Sequence, residues 1–227
     1  MVGAAALTYV SDGAILGVGS GTTVDAFIDA LAVSDVCPSG AVSGSEATSA
    51  RLAALGIPVV EPGDAGELGL YVDGADAIDP HGNMTKGGGA ALTREKIVAS
   101  IADRYLCIVD QSKLVDRLGG FPIPIEVIPM AEALVIRRFA TLGGTGAVRM
   151  KGESPVVTDN GMHIVDVGGL SVADPLDFEI EVSGWPGVVT AGVFARQRAS
   201  ICLVGTLEGV RTIDYRSAAV DRPVPGL

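Results

Sequence analysis

The stretch AILGVGSGTTVDAFIDAL, residues 14–31, sets a short apolar run, a glycine-rich turn and a helical pattern in immediate succession. Ala14–Val18 reads as a buried strand. From Thr23 to Leu31 the apolar residues fall at Val24, Phe27, Ile28 and Leu31, the spacing of one helix face. Between them lies Gly17-Val-Gly19-Ser-Gly21-Thr-Thr23. Glycines there let backbone N–H groups approach an anion, and the helix that follows presents partial positive charge at its N-terminus. Ser20, Thr22 and Thr23 add hydroxyls. No lysine follows the last glycine, so this is not a Walker A loop, and Thr22 spoils a GxGxxG reading. The loop alone fits an anion site or a merely tight turn equally well.

The alternation continues outward. Ala41–Val42, Glu46–Leu55 and Val59–Val60 repeat it, and Leu68–Val72 is a further strand candidate ending in acids. Ala90–Ala102 has a helical pattern, with Leu92, Ile97, Val98 and Ile101 as candidates for its buried side; Tyr105–Val109 is again a strand. Strands alternating with helices predict an α/β fold: a doubly wound, Rossmann-like parallel sheet with ligands at the carboxyl ends of its strands.

Beyond Phe121 the texture changes. FPIPIEVIP (121–129) carries three prolines, and Ile123, Ile125 and Val127 alternate, which predicts an edge strand. A helix is expected over Ala131–Leu142, closed by Gly143-Gly144. Val156–Val157 and Met162–Val167 flank the turn signal Asp159-Asn160-Gly161. Asp174-Pro175 predicts a capped helix through about Val182. These segments read as a smaller α+β domain, 123–198, inserted into a catalytic domain of 1–122 plus 199–215. Ile201–Val204 and Val210–Ile213 return to the main sheet, and residues 216–227 form a loose tail.

The chain has 227 residues and a formal net charge of −11, which argues against nucleic-acid or anionic-membrane partners and requires a local site for any anionic substrate. Cys37, Cys107 and Cys202 lie far apart and read as free thiols of a reducing compartment. His81 and His163 are the only histidines, so a His-based zinc site is not expected. The first residues lack the pattern of a signal peptide and no run is apolar enough to span a membrane, so a cytoplasmic protein is expected.

Three more segments carry potential chemistry. Asp73-Gly74-Ala75-Asp76, followed by Asp79, ends a strand; two such acids can point into one cleft, form a magnesium site or belong to an ordinary solvated loop. In Lys86-Gly87-Gly88-Gly89 a lysine precedes backbone free to wrap a ligand. Glu95 follows one turn into the next helix, and between Arg94 and Lys96 its spacing fits a solvated carboxylate at least as well as a base. Lys113 stands just past the strand Tyr105–Val109, where it can face the same crevice.

Taken together, GVGSGTTVDAFIDAL, YVDGADAIDPHGNMTKGGGAALTREKIVAS, VDQSKLVDRLGGFPIPIEVIPMA and VVTDNGMHIVDV followed by PGVVTAGVFA resemble the ribose-5-phosphate isomerase type A family, over residues 2 to about 213. The resemblance implies interconversion of ribose 5-phosphate and ribulose 5-phosphate through an enediolate, with no metal or other cofactor, in a homodimer or homotetramer. It implies that Ser20, Gly21, Thr22 and Thr23 hold the phosphate. Asp73 with Gly74, Ala75 and Asp76 would meet the sugar hydroxyls and help open the ring. Lys86 and Gly87, Gly88 and Gly89 would hold the reacting end, Lys113 would contact the substrate, and Glu95 would be the general base. Two departures stand out: Ala77 replaces a usual acid, and the family's phosphate-contacting lysine in the first helix is missing, since no lysine precedes Lys86. Either the chain starts late or its phosphate site is weaker. Two rivals remain from other classes: a sugar-phosphate-sensing module, and a CoA transferase with a glutamate nucleophile.

Overall fold

The computed structural model describes residues 1–216. The chain runs α1 (Val2–Ala6), β1 (Ile15–Val18), α2 (Thr22–Ala32), β2 (Gly40–Ser43), α3 (Glu46–Ala54), the single turn α4 (Pro62–Ala65) and β3 (Tyr71–Asp73). Then come β4 (Ala77–Ile78), β5 (Met84–Thr85), α5 (Leu92–Ser100), β6 (Tyr105–Asp110), β7 (Ile123–Val127), α6 (Glu132–Thr141), β8 (Thr145–Val148), β9 (Met150–Lys151) and β10 (Ser154–Pro155). The last elements are β11 (His163–Gly168), α7 (Pro175–Ser183), β12 (Val188–Ala191), β13 (Val193–Phe194), β14 (Ile201–Thr206) and β15 (Gly209–Asp214).

The main sheet has six strands in the order β15-β14-β6-β3-β1-β2. Every neighbour pairs in parallel except β15, which pairs antiparallel with β14. Both faces are covered, as a parallel sheet requires. Along β6 the side chains sort by parity: Leu106 and Ile108 join a cluster with Phe27 and Ile28 of α2, whereas Tyr105, Cys107 and Val109 join one with Leu92 and Val98 of α5. Val24, Phe27, Ile28 and Leu31 are all buried, as the helical spacing of α2 predicts.

A second, antiparallel sheet has the order β12-β7-β11-β8 and packs Ile123, Ile125, Val127 and Val165 against Val135 and Phe139 of α6, Val182 of α7 and Trp185 just beyond it. Here one expectation fails. β7 is not an edge strand: it pairs with β11 on one side and β12 on the other. The β12 ladder stops at Ile125, so Pro124 lies past its end, and the Pro124 carbonyl still accepts from Gly192 N–H at 2.7 Å. A proline beside the end of a ladder removes no hydrogen bond from it. A third small sheet, β13-β5-β4, joins Val193–Phe194 to the segment just before Lys86.

Other details differ from the sequence reading. Val59 makes only an isolated bridge to Ala41, and Leu68 one to Ala102, so the strand expected at Leu68–Val72 begins at Tyr71. Val157 likewise only bridges His163, although the turn between them closes as expected, with Gly161 N–H donating to Thr158 O at 2.9 Å and Gly161 at φ +74°. Asp174 caps α7, accepting from Leu176 N–H and Asp177 N–H at 3.0 and 3.1 Å. The expected tail begins with Arg216, which pairs with Asp214 at 2.5 Å; its remainder, 217–227, lies outside the described residues.

Candidate active site

The parallel strands β1 and β3 end side by side, and the residues just past them meet. Gly19 approaches Asp73 so closely that a Cβ there would sit 1.8 Å from the Asp73 Cγ, so only glycine fits. Asp73 has no solvent exposure and all its acceptor sites are used. Oδ1 accepts from Ser20 N–H at 3.1 Å and Gly74 N–H at 2.7 Å. Oδ2 accepts from the Tyr71 hydroxyl and pairs with the Lys86 ammonium, the latter at 2.8 Å. Burial, and then the Asp73 carboxylate beside it, push the Tyr71 phenol well up, so it stays a donor.

Lys86 is 3% exposed. Its backbone N–H donates to Gly192 O at 2.8 Å, which fixes the main chain where β5 ends. Its Nζ reaches Gly74 O at 2.7 Å, Asp73 at 2.8 Å and Glu95 Oε2 at 3.3 Å. Burial by itself would lower this ammonium, but Asp73 and Glu95 together outweigh it and hold Lys86 above its ordinary value, hence charged.

Glu95 is 4% exposed. The solvated-carboxylate reading fails because α5 buries Leu92, Glu95, Val98 and Ala99, not Ile97, which is 46% exposed; Ile101 is half-buried. Nor do the flanking charges mark a solvated face. Arg94 pairs with Glu46 at 2.6 Å and donates to Asn160 Oδ1 at 3.0 Å, and Lys96 is held by Glu179 at 2.6 Å with the Ala191 and Val193 carbonyls. The two Glu95 oxygens differ. Oε1 accepts from the Ser20 hydroxyl at 2.7 Å, whereas Oε2 is buried without a hydrogen bond, with only the ammonium of Lys86 near it. Burial, then repulsion from Asp73, raise the Glu95 carboxyl to about 7 against the pull of Lys86 and Ser20. A carboxylate poised near neutrality with one bare oxygen suits reversible proton transfer.

Asp76 is half-buried and accepts from Gly88 N–H at 2.7 Å, pinning the glycine loop. Ala75 is half-buried between them. Gly87 stands at φ +106°, with Pro124 of the small sheet packed against it; Gly88 and Gly89 are exposed. Gly21, at φ +94°, caps the start of α2; Thr22 is exposed and Thr23 half-buried. The Ser20 hydroxyl turns inward to Glu95 and its N–H to Asp73. Lys113 is half-buried and ends the helical turn Gln111–Lys113 after β6. Asp79 stands apart from the other acids, accepting from His81 N–H, Asn83 N–H and the Asn83 side chain at 2.8 to 2.9 Å. Asp73, Asp76 and Asp79 are thus committed to three different places. Sequence reasoning missed Tyr71, two residues before Asp73, and Arg149, which grips the Gly87 and Gly88 carbonyls from outside every glycine-rich or acidic motif.

Residues 40–209 match the family model described as ribose 5-phosphate isomerase A (phosphoriboisomerase A). A curated relative named ribose-5-phosphate isomerase A, from Albidiferax ferrireducens, is 58% identical over 215 residues, covering 95% of this chain and 92% of its own. Among solved structures, ribose 5 phosphate isomerase A from Neisseria gonorrhoeae superposes with a TM-score of 0.90 at 39% identity, covering 94% of each chain. A D-ribose-5-phosphate isomerase in complex with phospho-erythronic acid superposes with a TM-score of 0.88 at 37% identity, covering 94% of this chain and 96% of that one.

Proposed function

The chain belongs to the ribose 5-phosphate isomerase A family and is an aldose–ketose isomerase that interconverts D-ribose 5-phosphate and D-ribulose 5-phosphate in the non-oxidative pentose phosphate pathway, and from that premise we propose that Glu95 is its base. The observation that carries this reading is the buried Glu95 carboxylate, held by Ser20 on one oxygen and bare but for Lys86 on the other.

Glu95 Oε2 takes the proton from C2 of the open-chain aldose. The C–H electrons form the C1–C2 double bond, and the carbonyl oxygen at C1 takes up negative charge as an enediolate. Glu95 returns the proton to C1, and the hydroxyl proton passes from O2 to O1 as the ketose forms. Lys86 faces the developing oxyanion; a donor of this kind is worth about 3–4 kcal/mol, or 10²–10³ in rate. Asp73, fully buried, acts on Lys86 through Oδ2, which Tyr71 also holds, and on the loop at Gly74 through Oδ1. Asp76, half-buried at the cleft, is the acid that reaches the sugar hydroxyls. Gly21, Thr22 and Thr23 at the start of α2 take the phosphate with Lys113, and Ser20 couples that loop to the base. The acids are engaged with donors in separate places, which supports catalysis without a metal.

The six-stranded sheet with its flanking helices, residues 1–122 and 199–215, is the catalytic unit, and residues 123–198 the smaller one. A second copy of the chain covers the apolar side chains exposed at Ile128, Met130 and Leu134 of the smaller unit, giving a homodimer or homotetramer. The enzyme works in the cytoplasm; among the described residues no helix is long and apolar enough to cross a membrane.

The test follows ribose 5-phosphate turnover and exchange of the C2 proton with deuterated solvent, with and without EDTA. Glu95→Gln should lose both turnover and exchange while still binding substrate, because an amide keeps the shape but cannot take the proton. The wild-type rate should survive chelation. A variant keeping more than about a tenth of kcat removes Glu95 from this role. Loss on chelation, restored by magnesium or manganese, returns metal chemistry to the site.

A further inference from the structure

Arg149, between β8 and β9, belongs to the smaller unit yet reaches into the active site. Its Nη1 donates to Gly87 O and Gly88 O, both at 2.8 Å. Its other face is held by Asp166 of β11, which accepts from Nε at 2.8 Å and from Nη2 at 2.5 Å. The Arg149 backbone is fixed as well, its N–H on Ile164 O and its carbonyl accepting from Val156 N–H, both at 2.8 Å. The guanidinium is thus aimed by one carboxylate and spent on two consecutive carbonyls, a fork that an ammonium cannot reproduce.

The loop it grips has no side chains of its own. In a trans peptide the N–H points opposite to the C=O. Turning Gly87 O and Gly88 O toward Arg149 therefore turns the Gly88 and Gly89 N–H groups away from it. Gly88 N–H meets Asp76 Oδ2 at 2.7 Å. Gly89 N–H has no acceptor among the described residues, and the space around Gly89 is open. A cation on a carbonyl also polarises the peptide and strengthens its N–H as a donor.

We propose that Arg149, aimed by Asp166, is a positioning residue that orients the Gly87–Gly89 peptides so that the Gly89 N–H faces the reacting end of the sugar while Asp76 holds that of Gly88. The inference rests on the assignment of Glu95 and Lys86 to the chemistry. It makes the smaller unit a working part of the site, through a residue that touches no substrate.

The experiment compares Arg149→Met, Arg149→Lys and Asp166→Asn in the full chain. It measures kcat and KM for ribose 5-phosphate, the inhibition constant of inorganic phosphate, and melting temperature. Arg149→Met should lower kcat about 100-fold, since a misplaced donor loop costs that order. KM and the phosphate constant should move less than about threefold, because the phosphate loop lies at the other end of the site. Arg149→Lys, reaching one carbonyl at best, should recover only part of the loss, and Asp166→Asn should fall between the two. A merely structural role would lower the melting temperature and leave kcat per folded molecule intact. The inference is overturned if Arg149→Met keeps kcat within about threefold of wild type or, should it fail to fold, if Arg149→Lys and Asp166→Asn both do. Glu95→Gln run alongside separates the two readings: activity in that variant sinks the base assignment, whereas a dead Glu95→Gln with normal Arg149 and Asp166 variants sinks only this one.

Discussion

The Ser20 hydroxyl donates to Glu95 Oε1 at 2.7 Å across 75 residues of sequence, joining the loop after β1 to the first turn of α5. The same residue's N–H holds Asp73, which holds Lys86. The loop proposed to take the phosphate and the groups proposed to move the proton are therefore one hydrogen-bonded body. A substrate anchored at one end meets a base that is already oriented, which is where positional catalysis is gained.

This bond has a pH signature. Burial and Asp73 raise Glu95 to about 7, and the Ser20 hydrogen bond opposes them. Because the base must be ionised, kcat/KM for the free enzyme should fall as pH drops below about 7. Ser20→Ala removes a donor to the ionised form, so its acid limb should move to higher pH. A profile that stays put, or moves down, would show that the limb belongs to another group.

Stability should carry the same group with its own sign. The folded value of about 7 lies above the ordinary 4.5. Folding therefore binds the proton more tightly, and the stabilisation is complete below the unfolded value and lost as pH rises through about 7. Glu95→Gln escapes the loss. It should be more stable than wild type at pH 8 by about 2–3 kcal/mol in urea melts, with the gain shrinking toward pH 4. A variant less stable than wild type at pH 8 would mean that the Lys86 pair outweighs the burial of Glu95.

Much of this site was legible because its motifs sit at strand ends. The β1 loop, Asp73 and Lys86 each follow an apolar run, and a parallel sheet delivers such residues to one edge. Burial was not legible in the same way. In α5 the buried stripe is Leu92, Glu95, Val98 and Ala99, so a charge interrupts an apolar face. Assigning Ile97 and Ile101 to that face hid the interruption, although Leu92 and Ala99 bracket Glu95 at helical spacing. Arg149 and Asp166 were out of reach for a different reason: their contacts join two sheets, and nothing local marks which arginine will find a loop some 60 residues away. β7 misled through Pro124, whose place past the end of a ladder depends on where β12 stops.

Lys113 bears on how the phosphate is held. α1 carries no lysine, and Lys113 ends the turn beyond β6, half-buried. A partly exposed charge-assisted hydrogen bond is worth about 1.5–3 kcal/mol. Lys113→Ala should therefore raise KM for ribose 5-phosphate about tenfold or more, with kcat changing less. Equal kinetics in the variant would move the phosphate anchor wholly onto the Gly21–Thr23 loop.

Glu126 offers a test of stability distinct from chemistry. It lies on β7 with no solvent exposure and no cation against it. Thr93 of α5 donates to its Oε2, while Thr158 Oγ1 and Asn160 Nδ2 donate to Oε1 at 2.7 and 3.0 Å. This carboxylate thus ties the start of the Glu95 helix to the turn at 158–161, and Arg94 grips the same turn through Asn160. Glu126→Ala leaves three donors without this acceptor, of which Thr158 is buried, Thr93 half-buried and Asn160 exposed to water, and should cost about 2 kcal/mol, a drop of roughly 6 °C in a chain of this size. Glu126→Gln should cost far less. Its carbonyl oxygen can serve Thr158 and Asn160, while its amide donates to Thr93, whose hydroxyl accepts as readily as it donates. Melting temperatures of the two variants decide the matter. If alanine and glutamine are equally harmful, the charge itself is what the fold needs there; if both are harmless, the network holds nothing in place.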